Sequence, residues 1–160
     1  MIQQAELARV VAALKEPIRN FVRESHVRIA LLINGAGQVL GQHGFARSYQ
    51  IMNVAALAAA THAASRVLAE LADAPYWEHL HHAGRERQIF IAPLRLPAEE
   101  LIVVAIFDAD SSLGLVQLFF HQLAGVVSAL PEFQSASEGA TQAGFQWDLE
   151  ASLGILSPGQ

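Results

Sequence analysis

The sequence predicts an α/β chain of the α+β type, with element order α-β-β-α-β-β-β-α and one five-stranded sheet covered by helices. Three observations carry this expectation. Apolar residues recur at three- and four-residue spacing near both ends of the first 130 residues. Between them, residues 26–43 alternate as a strand hairpin does. "LIVVAIFD", residues 101–108, is apolar on both faces, as a central strand covered by helices on both sides must be.

Leu7, Val10, Val11, Leu14, Ile18, Phe21 and Val22 form the stripe of an amphipathic first helix. Pro17 lies inside it and is expected to kink the helix or split it near Ala13. "HVRIALLI" then places Val27, Ile29, Leu31 and Ile33 on one side of a strand and Ala30 and Leu32 on the other. "NGAG" tolerates positive φ, and "QVLGQH" returns as the second strand. "MNVAALAAATHAASRVLAEL", Met52–Leu71, is too long for a strand and rich in the best helix former, with Asn53 a candidate cap. Two short strands follow, about Trp77–Ala83 and Glu86–Pro93, joined near Gly84 and Arg85. Past "DADSS", Leu113, Val116, Phe120, Leu123 and Val127 mark a last helix that ends before Pro131.

This organisation gives a domain over residues 1–130 and a tail over 131–160. The tail opens polar and Gly/Ser-bearing, as a flexible tether does. It closes on "FQWDLEASLGIL", where Phe145, Leu149, Leu153 and Leu156 share one helical face with Trp147 beside it. That segment is expected to dock on a partner or on the chain's own dimer.

Composition excludes several classes. With 160 residues the chain suits one domain, and 52% hydrophobic content with 16% charged residues rules out general disorder. A formal charge of −5 and scattered Lys and Arg argue against a nucleic-acid surface. No cysteine is present, so disulfides, thiolate metal sites and cysteine nucleophiles are absent. The N-terminus lacks a basic leader followed by an apolar run, and the uninterrupted apolar runs are short, so a cytoplasmic domain is expected.

The candidate chemistry is thin. In "YWEHLHHAGRERQIF", His79 and His81 would point to one side of a strand and His82 to the other, so one metal cannot collect all three. His62 and His121 belong to different helices. Ser65, Ser111 and Ser112 lack a nucleophile elbow, and Ser111 or Ser112 reads as a helix cap. "GAG" at 35–37 joins two strands and does not open a helix onto a phosphate. Asp108 and Asp110 read as turn and cap residues. No metal and no cofactor are expected. The second helix is the informative element: Ala55, Ala56, Ala58, Ala59, Ala60, Ala63 and Ala64 leave little bulk on any face, as suits a helix that meets another chain. The third strand, begun by Trp77, is an edge that antiparallel pairing with its own copy would cover.

"ALLINGAGQVL", "LAAATHAASRVLAEL", "WEHLHHAGRERQIFI" and "LIVVAIFDADSSLGLVQL", in this order of elements, resemble the roadblock (dynein light-chain) family, and within it the MglB-like group. The resemblance covers about Ser25 to Leu130. It implies an antiparallel sheet and a homodimer whose third strands pair into a ten-stranded sheet, with the two second helices side by side. It further implies that this helix pair binds a Ras-like small GTPase (MglA-like) in cell polarity or motility. Hydrolysis would be raised by ordering the GTPase's own switches, without an arginine finger and without an active site in this chain. On matching positions, partner contacts fall on Ala59, Ala60, Ala63, Arg66 and Val67, and the dimer contact on Ala56, Trp77, His79 and His81. Phe145, Trp147, Leu149 and Leu153 would carry tail docking. A roadblock scaffold that leaves hydrolysis unchanged, a small-ligand sensory module and a histidine metal enzyme are the alternatives.

Overall fold

The computed structural model describes residues 2–44 and 48–134. Helix α1 (Ile2–Ser25) runs through Pro17 in one piece, so the expected split near Ala13 does not occur. A proline removes one intrahelical hydrogen bond, but Leu14, Ile18 and Phe21 are all buried and anchor the helix on both sides of it. The chain then reverses at His26, whose φ of 57° is left-handed, and enters β1 (Ile29–Ile33). That turn breaks the alternation one step early. Val27 therefore sits with Ala30 and Leu32 under α1, while Ile29, Leu31 and Ile33 face the other layer.

β2 (Val39–Gly44) pairs back on β1 through a turn in which Gly37 takes φ 81°. A side chain at Gly41 would strike that of Ile18, so this glycine sets how closely α1 lies on β2. α2 (Ser48–Leu71) begins four residues before the expected Met52, which places Asn53 inside the helix and not at its cap. β3 (Leu80–Ala83), β4 (Gln88–Arg95) and β5 (Glu100–Phe107) complete the sheet, and α3 (Leu113–Ser128) follows.

The sheet order is β2-β1-β5-β4-β3, with every neighbouring pair antiparallel. β5 is central, and its residues from Leu101 to Ala105 are all buried, as an apolar strand covered on both faces requires. α1 and α3 cover one face over Phe90, Phe107, Val116 and Phe120; α2 covers the other over Ile91, Ile102 and Val104. Residues 131–134 are helical, and Phe133 is 2% exposed within the α1/α3 core. The packed body thus continues past the expected limit at residue 130. The tail positions Phe145, Trp147, Leu149 and Leu153 lie outside the described residues.

Candidate protein-binding surface

α2 has two contrasting faces. Ala55, Ala58, Ala59, Ser65 and Ala69 are each under 10% exposed and lie against the sheet. Their small side chains bring the helix axis close to β4, β5 and β1. Ala59, expected at the partner contact, is one of these: its spacing from Ala55 keeps it on the sheet-facing stripe. The other four expected contacts, Ala60, Ala63, Arg66 and Val67, are exposed.

Beside the expected Val67, the outward face carries Leu57, Leu68 and Leu71, which the sequence reading passed over. Leu57, Val67, Leu68 and Leu71 are 68%, 53%, 59% and 78% exposed, with the exposed Ala60 and Ala64 between them. Leu57, Ala64, Leu68 and Leu71 follow one another at intervals of seven, four and three, which is the spacing of a single helical stripe. The signal was present but masked by the uniform run of alanines. Segment Gln50–Leu71 reaches a mean hydropathy of 1.2 and has the length and composition of a membrane-crossing helix. Its sheet-facing side is nevertheless packed as one layer of the domain. Exposed apolar surface of this extent is unusual on a domain with no partner and occurs at protein or membrane interaction sites.

The second candidate element is the β3 edge. β3 is terminal in the sheet and hydrogen-bonds only to β4 among the described residues. It is shorter than expected and starts at Leu80, so Trp77 and His79 precede the strand. Tyr76 and Trp77 are 52% and 39% exposed beside it. The Gly84 N–H donates to the Arg87 carbonyl at 2.9 Å, which fixes the ladder's phase. Antiparallel alternation then turns the N–H groups of Leu80 and His82 toward β4, and those of His81 and Ala83 outward. The free edge therefore offers two donors to another strand.

The imidazoles have other work. His79 stacks on Phe90 at 5.4 Å and lies 3.3 Å from Gln117 of α3; His81 stacks on Phe107 at 6.0 Å and hydrogen-bonds Gln88 at 2.7 Å. Both side chains sit on the α1/α3 face of the sheet, so any contribution to a strand pair comes from their backbone. Ala56 is exposed near the β1–β2 turn, where a side chain at Gly37 would meet its Cα at 3.3 Å. Among the described residues no group of three or more His, Asp or Glu could hold a metal ion.

Asp108 and Asp110 act as turn residues. The Asp110 N–H donates to Asp108 Oδ1 at 3.0 Å, and Arg28 Nε to Asp108 Oδ2 at 2.5 Å. The backbone donor, with Arg28 in support, holds the Asp108 carboxyl below the usual carboxylate range. Ser112 caps α3 by accepting from the Leu115 N–H at 3.2 Å.

The sheet thus runs β2-β1-β5-β4-β3, with α2 covering one of its faces. The sequence profile of the Roadblock/LC7 domain matches residues 13–105. The chain belongs to the Roadblock/LC7 family. Solved structures similar to this domain include an MglB with a tetrameric arrangement, at 25% identity and TM-score 0.66, covering 82% of this chain and 93% of that one. The gliding protein MglB of Thermus thermophilus is similar at 24% identity and TM-score 0.65, covering 78% and 90%. Myxococcus xanthus MglB is similar at 21% identity and TM-score 0.63, covering 75% and 92%. No curated relative matches the sequence significantly. The roadblock domain here shares with those structures an open antiparallel five-stranded sheet flanked by helices.

Proposed function

We propose that this roadblock protein is a cytoplasmic homodimer that binds an MglA-like Ras-like GTPase and speeds its hydrolysis by ordering the switches, in cell polarity or motility. The observation that supports this best is the outward face of α2, an apolar stripe from Leu57 to Leu71 broken by no charge on its centre line. Pairing of two β3 edges would place two such helices on one face of a ten-stranded sheet, doubling the platform. Ala60 and Ala63 would let switch backbone approach closely, and Val67 and Arg66 would flank it.

Catalysis remains with the GTPase. The dimer then acts by binding the hydrolysis-competent switch arrangement more tightly than the resting one, and a tenfold acceleration needs about 1.4 kcal/mol of that preference. GTP turnover by the partner, measured with and without this protein, tests the reading. Wild-type protein is expected to accelerate turnover and Ala63→Arg to abolish the effect while remaining dimeric. Binding without acceleration would leave a scaffold in its place, and undiminished acceleration by the variant would remove the α2 face from the contact.

A further inference from the structure

A groove of about 780 Å³ runs between α1 and α3, on the side of the sheet away from α2. Pro17 and Phe21 of α1, with Phe119, Leu123, Val126 and Leu130 of α3, give it an apolar bed. Phe21 and Leu123 are buried, whereas Val126 is 51% exposed. Glu16 and Arg23 form part of its exposed border. An apolar bed within a polar border is the form of a groove that takes an amphipathic helix. Pro17 has no N–H to give the Ala13 carbonyl, and both residues line the groove.

The course of the chain decides what can reach this groove. The Ser111 hydroxyl donates to the Ser25 carbonyl, which joins the start of α3 to the end of α1. The two helices therefore run in opposite directions, and the last turn of α3 lies toward the Ala13 end of the groove. One further turn follows, in which the Phe133 N–H donates to the Leu130 carbonyl at 3.1 Å and the Phe133 ring is buried. That anchor starts the tail beside Leu130, itself part of the groove wall. Residues 135–144 then separate Gln134 from Phe145. Such a spacer reaches about 35 Å when extended. The groove, from residue 13 to residue 24 of α1, is only about 16 Å long. The apolar stripe of Phe145, Leu149, Leu153 and Leu156 covers the same length, about 16 Å, when helical.

We propose that the α1/α3 groove is the seat of the chain's own C-terminal segment, residues 145–156, whose apolar stripe lies along Pro17, Phe119, Val126 and Leu130. Trp147, beside that stripe, brings an indole N–H, the kind of donor that the Ala13 carbonyl lacks. The tether holds the segment at an effective concentration on the order of millimolar, so a contact too weak to join separate molecules still forms. Groove and α2 lie on opposite sides of the sheet, so a filled groove leaves the α2 face open. The contact does not rest on the GTPase-regulator reading, and its test contains no GTPase.

The sequence has no cysteine, so Val126→Cys in the full chain places a single thiol in the groove. Its alkylation by iodoacetamide is timed by mass spectrometry, with and without Leu149→Asp and Leu153→Asp together in the tail. A segment seated nine-tenths of the time slows labelling about tenfold, and the two aspartates are expected to abolish that protection. The protected rate should stay the same on about hundredfold dilution, because the segment belongs to the same molecule. Leu68→Cys, on the outward face of α2, serves as the reference, and its rate should not respond to the aspartates. A Val126→Cys rate indifferent to the aspartates shows that the tail does not cover the groove and overturns the proposal. Protection that grows with protein concentration gives the groove to a second copy, and a tail effect confined to Leu68→Cys gives the tail to α2; either result overturns it as well.

Discussion

His62 Nε2 lies 2.7 Å from Glu100 Oε1, tying the middle of α2 to the first residue of β5. His62 is 14% exposed and Glu100 30%, so water competes only in part for this bond. It is the one side-chain hydrogen bond between α2 and the sheet among the described residues; the cluster packed between them is alanine, isoleucine, valine and leucine. His62→Ala and Glu100→Ala are each expected to lower stability by about 1–2 kcal/mol. A double-mutant cycle on chemical unfolding should give a non-additive term of similar size. Simple additivity would show that the pair contributes nothing jointly.

Phe133 makes a sharper stability prediction. Ending the chain after Leu130 removes a side chain that is 2% exposed in the α1/α3 core, whereas ending it after Gln134 keeps it. The shorter form should be less stable by about 3 kcal/mol, the usual cost of deleting a buried phenylalanine. Urea midpoints of the two truncations check this directly. Equal midpoints would place Phe133 outside the folding unit.

Asp108 predicts a pH dependence. Its folded pKa is depressed by the Asp110 N–H and by Arg28, so the unfolded chain takes up its proton first as pH falls. The stability it contributes is complete above the ordinary aspartate value near pH 3.9 and is lost as pH drops through the folded pKa. Asp108→Asn should flatten the fall of stability with pH from about pH 4 downward. Unfolding curves of both proteins across that window provide the measurement, and parallel slopes would contradict the assignment.

Arg66 stands near the proposed GTPase contact and must be tested as a finger. Removing a true arginine finger costs a GTPase about 10³–10⁵ in rate. If the dimer works by ordering switches, Arg66→Ala should reduce stimulated hydrolysis by less than about tenfold, measured at saturating protein so that weaker binding does not enter. A loss in the finger range would replace the proposed mechanism with direct charge stabilisation.

Much of the fold was legible because each element buries a face with its own period. Ile29, Leu31 and Ile33 show a strand with a covered side, and Leu14, Ile18 and Phe21 a helix with a stripe. The misreadings came where tertiary context overrules local preference. Pro17 does not split α1 because buried neighbours hold both halves, and Trp77 does not start β3 because pairing with β4 reaches only to Leu80. The surface was harder. Alanines at 55, 58, 59, 60, 63 and 64 look alike in sequence, and only the packing of α2 shows that Ala59 faces inward while Leu57, Leu68 and Leu71 face out. The link across the α2–sheet interface was least visible of all, since His62 of an apolar helix meets Glu100 at a strand end that no local pattern connects to it.

A doubled α2 platform requires two copies joined through β3, so the decisive measurement is mass in solution by sedimentation equilibrium. The wild-type chain should sediment at twice 17.3 kDa. Ala83→Pro removes an outward N–H without touching the ladder to β4 and should sediment at 17.3 kDa with an unchanged circular dichroism spectrum. A wild-type protein that stays at the single-chain mass, or a proline variant that dimerises as tightly as wild type, would contradict it.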